Sequence, residues 1–286
     1  MRGARRHAAL EAAVARNVAA VRGEVVVGAI SGGPDSAALS ALLGRAASAA
    51  GATVVFAHVN HGRRPSAWQD EAVVLALGAA LGARVIARSL DPGSSAEADL
   101  RDGRYRALVE IAQAVGASRV FTAHHAGDQT ETVLLALFRG AGSAGLGGMA
   151  PRRPLGPGVE LVRPLLEVEP AALREYCDAA HLPIALDPTN VDTAFRRNAV
   201  RAALEGLRAD FPHLDAAVAR CARILREEQA ADPAASLRRR LRAELAASLG
   251  DARDLTFERL DSAARAALRG RSGRHFLRPG VELVIE

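Results

Sequence analysis

Apolar residues in the first two-thirds of the chain fall into two alternating kinds of run. Residues 24–30 (EVVVGAI), 53–59 (TVVFAHV), 83–88 (ARVIAR) and 118–124 (SRVFTAH) are short, rich in Val or other apolar residues, and bounded by Gly, Ser or charged positions. Such runs read as buried strands. Residues 36–50, 67–81, 96–115 and 128–138 carry helical periodicity, and 4–21 reads as a helix ahead of the first strand. Strands alternating with helices predict an α/β fold, a parallel sheet with helices on both faces. Ligands on such sheets sit at the carboxyl ends of the strands, near a switch in strand order. The chemistry is therefore expected just after each strand. Residues 140–158, rich in Gly and Pro, read as loop or hairpin, and 183–190 as a polar loop. Helices are predicted at 170–180, at 194–207, over most of 213–249 with a break near Asp232-Pro233, and at 257–269. The segment 275–285 alternates weakly and reads as a terminal hairpin. The α/β alternation stops near 208–212, so two domains are expected: an α/β domain over 1–210 and a smaller, mostly helical domain over 211–286.

Composition narrows the class. With 286 residues, 49% hydrophobic and 24% charged, the chain can bury a full core. It has no apolar run of about 18 residues, so no membrane span is expected. The basic N-terminus has no apolar stretch behind it, so no secretory signal is expected and the cytoplasm is the default location. Two cysteines, Cys177 and Cys221, exclude a disulfide framework, a four-cysteine zinc site and an iron–sulfur ligand set. Both lie in helical patterns and read as buried structural thiols. All 37 Lys+Arg residues are arginines, which excludes a Walker-type Gly-Lys loop, a Schiff base and a lysyl nucleophile. Residues 1–195 hold 19 Arg against 19 acids, and residues 196–286 hold 18 against 13. The whole excess of +5 thus lies in the last third, where a polyanion would be met first.

The first strand runs into Ser31-Gly32-Gly33-Pro34-Asp35-Ser36 and then a helix. Two glycines let a ligand approach the backbone and leave amide N–H groups pointing outward. The helix start adds positive potential, and Ser31 and Ser36 add hydroxyl donors. This is a phosphate cradle without a lysine. Asp35 suits a divalent cation held beside phosphate. The string resembles the PP-loop signature of the N-type ATP pyrophosphatases, which cleave ATP between the α and β phosphates and adenylate a carbonyl-type oxygen. Alone it leaves GMP, NAD and asparagine synthetases and tRNA thiolases open.

Further segments follow in order. His58-Val59-Asn60-His61-Gly62 ends the second strand. His124-His125-Ala126-Gly127-Asp128-Gln129-Thr130-Glu131-Thr132 ends the fourth, followed by Arg139-Gly140-Ala141-Gly142. Beyond stand Arg163-Pro164-Leu165-Leu166, Asp187-Pro188-Thr189-Asn190 and Arg196-Arg197-Asn198-Ala199-Val200-Arg201. This set resembles the tRNA(Ile)-lysidine synthetase family over about residues 20–205, and 93–108, with Glu97, Arg101, Arg104 and Tyr105, resembles another of its segments. Asp128 and Glu131, three apart at a helix start, share one face. With Asp35 they can bind magnesium or the ammonium of a substrate amine. Of His124 and His125, one is expected to face the reacting centre and the other to pack, because strand side chains alternate. Arg101, Arg104, Arg197 and Arg201 suit phosphate oxygens of ATP or RNA.

The resemblance implies a C–N ligase using ATP and Mg²⁺. The C2 oxygen of the wobble cytidine of tRNA(Ile) with a CAU anticodon attacks the α-phosphate, and free lysine then displaces AMP to give lysidine. It implies a nucleotide site of Ser31, Gly32, Gly33, Pro34, Asp35 and Ser36, and catalytic roles for Asp35, His124, Asp128, Glu131, Arg104 and Arg197. Asp35 and Asp128 would serve the metal, a histidine among His58, His61 and His124 the charge in attack, and the basic helical third the tRNA phosphates. The family pattern is usually HHxDDQxET, and this chain has Gly127 in place of the first paired acid. The chain resembles the compact members, which are often dimers. Thiolation is disfavoured because no CxxC pair is present. A non-catalytic RNA-binding paralogue is the competing class, supported by Gly127 alone.

Overall fold

The computed structural model describes residues 2–18, 22–60, 67–90, 97–185, 196–230, 233–249, 257–278 and 280–285. The expectations for His61, for Asp187-Pro188-Thr189-Asn190 and for the ends of two predicted helices at 19–21 and 194–195 lie outside these residues. The elements in chain order are α1 (Arg2–Val18), β1 (Val25–Ile30), α2 (Pro34–Ala50), β2 (Thr53–Asn60), α3 (Ala67–Ala80), β3 (Arg84–Ser89), α4 (Glu97–Ala114), β4 (Arg119–Phe121) and α5 (Ala126–Leu137). Then come α6 (Ser143–Leu146), β5 (Arg152–Gly156), β6 (Val159–Val162), α7 (Pro170–Ala179), α8 (Arg196–Asp210), α9 (Leu214–Gln229), α10 (Pro233–Leu249), α11 (Phe257–Leu268), β7 (Gly273–Arg278) and β8 (Val281–Ile285).

The main sheet has the order β3-β2-β1-β4-β6-β5, parallel throughout except for β5. Strand β5 lies in the segment 140–158 that reads as loop or hairpin, and β6 follows directly after it, where no strand is predicted. The hairpin forms, but its second strand also pairs with β4 in parallel. Four residues between turn-forming Gly and Pro were too short a run to mark a sheet strand. The order reverses between β1 and β4, which makes that boundary the switch point. Side chains alternate across the sheet with period two. Val26, Phe121 and Val162 face α1, α2 and α7, whereas Val27, Val120 and Leu161 face α4. Both faces are covered, which is why these strands read as continuous apolar runs.

The chain divides into two compact units, 1–141 with 148–220, and 142–147 with 221–286. The division falls inside α9 rather than at 210/211. In the second unit, Leu260, Ala263 and Leu277 form a small core with Leu241, Leu245, Val281 and Leu283. Arg238, buried among these helices, donates to Asp261 and lies 3.5 Å from Glu227.

Gly28 lets β1 lie close under its neighbours. A Cβ there would stand 2.9 Å from Phe56 Cδ1 and 3.0 Å from Leu43 Cδ2. Both side chains are fully buried, so neither can swing away. Gly28→Val is expected to cost about 1–3 kcal/mol by overpacking, read as a lower urea midpoint with an unchanged slope.

Candidate active site

The loop after β1 is held ready by its own polar groups. Gly32 has φ +90°, a conformation open to glycine, and its carbonyl accepts from Ala185 N at 2.8 Å. Gly33 caps α2 in extended conformation with Pro34 at the first helical position. Helix α2 thus begins two residues earlier than its periodicity predicts. The Ser36 hydroxyl donates to Gly33 O at 2.9 Å and accepts from Ser31 N at 3.2 Å, with Ser31 Oγ also 3.2 Å away. The buried Cys177 thiol donates to Pro34 O at 3.1 Å, and burial pushes it up to about 11, so it is a structural thiol. Cys221, expected to be buried, is exposed.

The segment after β4 stands across the switch point from this loop. His125 is the N-cap of α5: its Nδ1 accepts from Asp128 N at 3.3 Å, and its own amide donates to Asp128 Oδ2 at 3.1 Å. Its Nε2 lies 3.4 Å from Asp35 Oδ2. One imidazole therefore links the two strand ends. Burial works against its protonation, but the hydrogen bond to Asp35 and the charges of Asp128, Asp35 and Glu131 raise its pKa on balance. This contact is invisible in sequence; the signal that was available is a polar residue one position before a helix.

His124 has the opposite environment. Thr122 Oγ1 is 2.9 Å from its Nδ1. Burial, reinforced by Arg163, Arg104 and Arg197 and opposed by Asp128, lowers its pKa to about 3. Its ring is neutral at physiological pH. His58 is buried with Nδ1 3.0 Å from Ile30 O, a structural contact between β2 and β1.

The carboxylates on α5 meet arginines from α8. Glu131, only 2% exposed, accepts from Arg197 Nε at 2.6 Å and from Arg201 Nε at 2.7 Å. Arg197 also reaches Asp128 Oδ1 at 3.1 Å. Burial alone would raise Asp128, but His125, Arg197 and His124 hold its pKa below the usual carboxylate value. Arg197 and Arg201, expected on phosphate, thus engage acids. With His125 protonated, three carboxylates (Asp35, Asp128, Glu131) meet three cations. Both Asp128 oxygens are engaged, whereas Asp35 is partly exposed and sits in the phosphate loop. Magnesium takes one or two carboxylates plus substrate phosphates rather than an all-protein cage. Asp35 fits that pattern, and no cluster of three His, Cys, Asp or Glu ligands is found among the described residues.

Gly127 lies inside α5, beyond its cap. A Cβ there would stand 2.9 Å from His125 Cε1 and 3.3 Å from Arg208 Nη2. Glycine gives the His125 ring room to fold over the helix start. Arg208 is held by Asp215 at 2.8 and 3.1 Å.

Arg104 and Arg101 lie over the Tyr105 ring, 5.3 and 5.7 Å from its centroid, joined by Arg153 at 4.8 Å. Arg153 was not singled out from sequence. Burial raises the Tyr105 phenol, but Arg104, Arg101 and Arg163, with a hydrogen bond from Arg153, bring its pKa down to about 8.

Two outcomes follow. Glu131→Ala, which leaves Arg197 and Arg201 without their shared buried acceptor, is expected to cost about 3–5 kcal/mol in denaturant unfolding. In a spectrophotometric titration at 295 nm, one of the two tyrosines should ionise near pH 8. The other, Tyr176, is raised by burial and should ionise later than an ordinary phenol. Because the Tyr105 phenolate is the form favoured on folding, its contribution to stability is absent below about pH 8 and grows as pH rises toward 10.

Curated relatives share this part of the chain. A tRNA(Ile)-lysidine synthase of Gloeobacter violaceus is 40% identical over 202 residues, covering 70% of this chain and 62% of its own. One of Methylobacterium nodulans is 42% identical over 216 residues, covering 74% and 62%. The chain therefore spans less than two-thirds of the length of either. Among solved structures, the U34-tRNA thiolase NcsA of Methanococcus maripaludis superposes with a TM-score of 0.64 at 16% identity, over 77% of this chain and 79% of that one, a likeness of fold. Residues 7–206, which carry the loop, the switch point and the arginine–carboxylate cluster, match the PP-loop domain, and the chain belongs to that family.

Proposed function

We propose that this protein ligates lysine to C2 of the wobble cytidine, position 34, of tRNA(Ile) with a CAU anticodon, consuming ATP and releasing AMP and pyrophosphate. The observation that carries the reading is the convergence, at one switch point, of the loop 31–36 with His124, Asp128, Glu131 and Arg197. Two curated relatives of that name, at 40% and 42% identity, support it.

The loop amides and the α2 N-terminus receive the phosphates of ATP. Magnesium held by Asp35 supplies neutralisation of phosphate charge when bound. The cytidine C2 oxygen forms a bond to the α-phosphorus as the bond to the β-phosphate oxygen breaks, so pyrophosphate leaves. The ε-amine of lysine then bonds to C2, the C2–O bond to AMP breaks, and the attacking nitrogen gives its proton to solvent water. Such transfers depend on position and charge more than on covalent help from the protein. His124, neutral and hydrogen-bonded to Thr122, orients the reacting groups and is too weak a base to store a proton. Asp128 and Glu131 fix the negative side of the site. The base must leave its stack to enter. The basic segment 196–286, with Arg239 and Arg240 exposed on α10, contacts tRNA phosphates. ATP, lysine and tRNA as reactants place the protein in the cytoplasm. No helix among the described residues is long and apolar enough to cross a membrane.

Labelled lysine is expected to enter the CAU transcript only with ATP, and Asp35→Ala to lower the rate by about 10²-fold or more, the size of loss typical when charge stabilisation of a transition state is removed. Pyrophosphate release without lysine transfer would reassign the nucleophile. RNA binding with neither activity would favour the non-catalytic paralogue.

A further inference from the structure

Four arginines crowd one tyrosine at the same sheet edge, on the far side of His124 from the phosphate loop. Arg153, Arg104 and Arg101 stack on the Tyr105 ring at 4.8–5.7 Å. Arg163, directly after β6, is 3% exposed; its Nη1 donates to Ala150 O at 2.7 Å, and its Nε is buried without a hydrogen-bond partner. Among the described residues, no carboxylate pairs with any of the four. The acid nearest in sequence to Arg163 on β6, Glu160, goes to Arg119 and Arg152 instead. By contrast, buried Arg238 and half-buried Arg197, Arg201 and Arg208 are each matched to acids. The cluster around Tyr105 is therefore built positive: four guanidinium groups share the weakly acidic Tyr105 phenol and no carboxylate among the described residues.

Its place decides which anion it suits. Register puts Arg153 opposite Leu161 at the carboxyl end of β6, which neighbours β4, which neighbours β1. Arg163, at the end of β6, thus stands two strands from the strand that feeds the loop 31–36, about 10 Å at ordinary strand spacing, and Arg153 on β5 stands three strands away, about 14 Å. Nucleotide phosphates already have a receiver there. The series from exposed Arg101, through half-buried Arg104 and Arg153, to buried Arg163 forms a path for an anion entering from solvent. Planar guanidinium forks match phosphate oxygens.

We propose that the Arg101–Arg104–Arg153–Arg163 cage is a second anion subsite, and that it seats a backbone phosphate of the RNA whose base is presented to His124. The identity of the polymer rests on the RNA-modifying reading above; the anion chemistry does not.

The test uses the full chain and variants at Arg153, on the edge strand and outside the adenylation machinery. A labelled CAU tRNA(Ile) transcript is titrated by fluorescence anisotropy without ATP at several salt concentrations, and the KM for ATP is followed through pyrophosphate release. Arg153→Ala is expected to weaken transcript binding about tenfold and lower the salt slope by about one. Arg153→Glu should weaken it further, with the ATP KM moving less than about twofold and the thermal midpoint unchanged. In the wild type, inorganic phosphate should raise the midpoint of the 295 nm phenol titration. A risen ATP KM with unchanged transcript binding would overturn the RNA assignment in favour of a nucleotide phosphate. No change in binding, KM or phenol midpoint would overturn the subsite. Absence of lysine transfer with the binding losses intact would sink the ligase reading and leave this one standing.

Discussion

Glu131 is the interaction on which the candidate site depends. A carboxylate at 2% exposure is costly to desolvate. It is stable here because Arg197 and Arg201, four apart on α8, stack on one face and bring three donor contacts of 2.6–3.2 Å to its two oxygens. Arg197 spans to Asp128 with its other nitrogen. A lysine offers one point of charge and cannot bridge two acids in this way. The absence of lysine from the chain, whatever its origin, therefore suits a site in which one planar cation must hold two carboxylates. This clamp also ties α8 to α5, adding charged contacts to the burial of Val200 and Leu204 on the same helix.

Much of this was legible in the sequence. Three of the apolar runs became β1, β2 and β4 because central strands leave a nearly unbroken apolar signature, while β3, an edge strand with no fully buried residue, kept only a short apolar centre at 85–87. The phosphate loop was legible because glycine pairs and hydroxyls at a strand–helix junction have few other uses. The hairpin's membership in the sheet was not, since Val159–Val162 is short and its paired positions lie 41 residues earlier. The partners of charged groups were the least legible. Arg197 and Arg201 looked like phosphate ligands because an arginine's type does not reveal which anion it meets. The contact between His125 and Asp35 joins positions 90 apart, and no local pattern announces it.

Position 127 shows how a departure from a family pattern acquires meaning from packing. From sequence, the missing acid raised a choice between a cap and a metal ligand. In the fold the cap is His125, and the space a side chain at 127 would need is filled by its ring. Gly127 and the present place of His125 are thus one feature. A larger residue at 127 would require the His125 ring to shift from the position in which its Nε2 lies 3.4 Å from Asp35.

The arginines near His124 come in two sets with opposite electrostatic character. Arg197 and Arg201 are matched to Asp128 and Glu131, so their fields are largely cancelled within the cluster. Arg101, Arg104, Arg153 and Arg163 surround a tyrosine instead. His124 sits where these fields meet: burial suppresses its protonation first, Arg163 and Arg104 add to that, and Asp128 opposes it. Its basicity is therefore governed less by its own hydrogen bond to Thr122 than by which side of the site carries uncancelled charge. A positive group arriving beside Asp128, or a negative one beside Arg163 and Arg104, moves that balance in opposite directions, and a ring so placed responds to both.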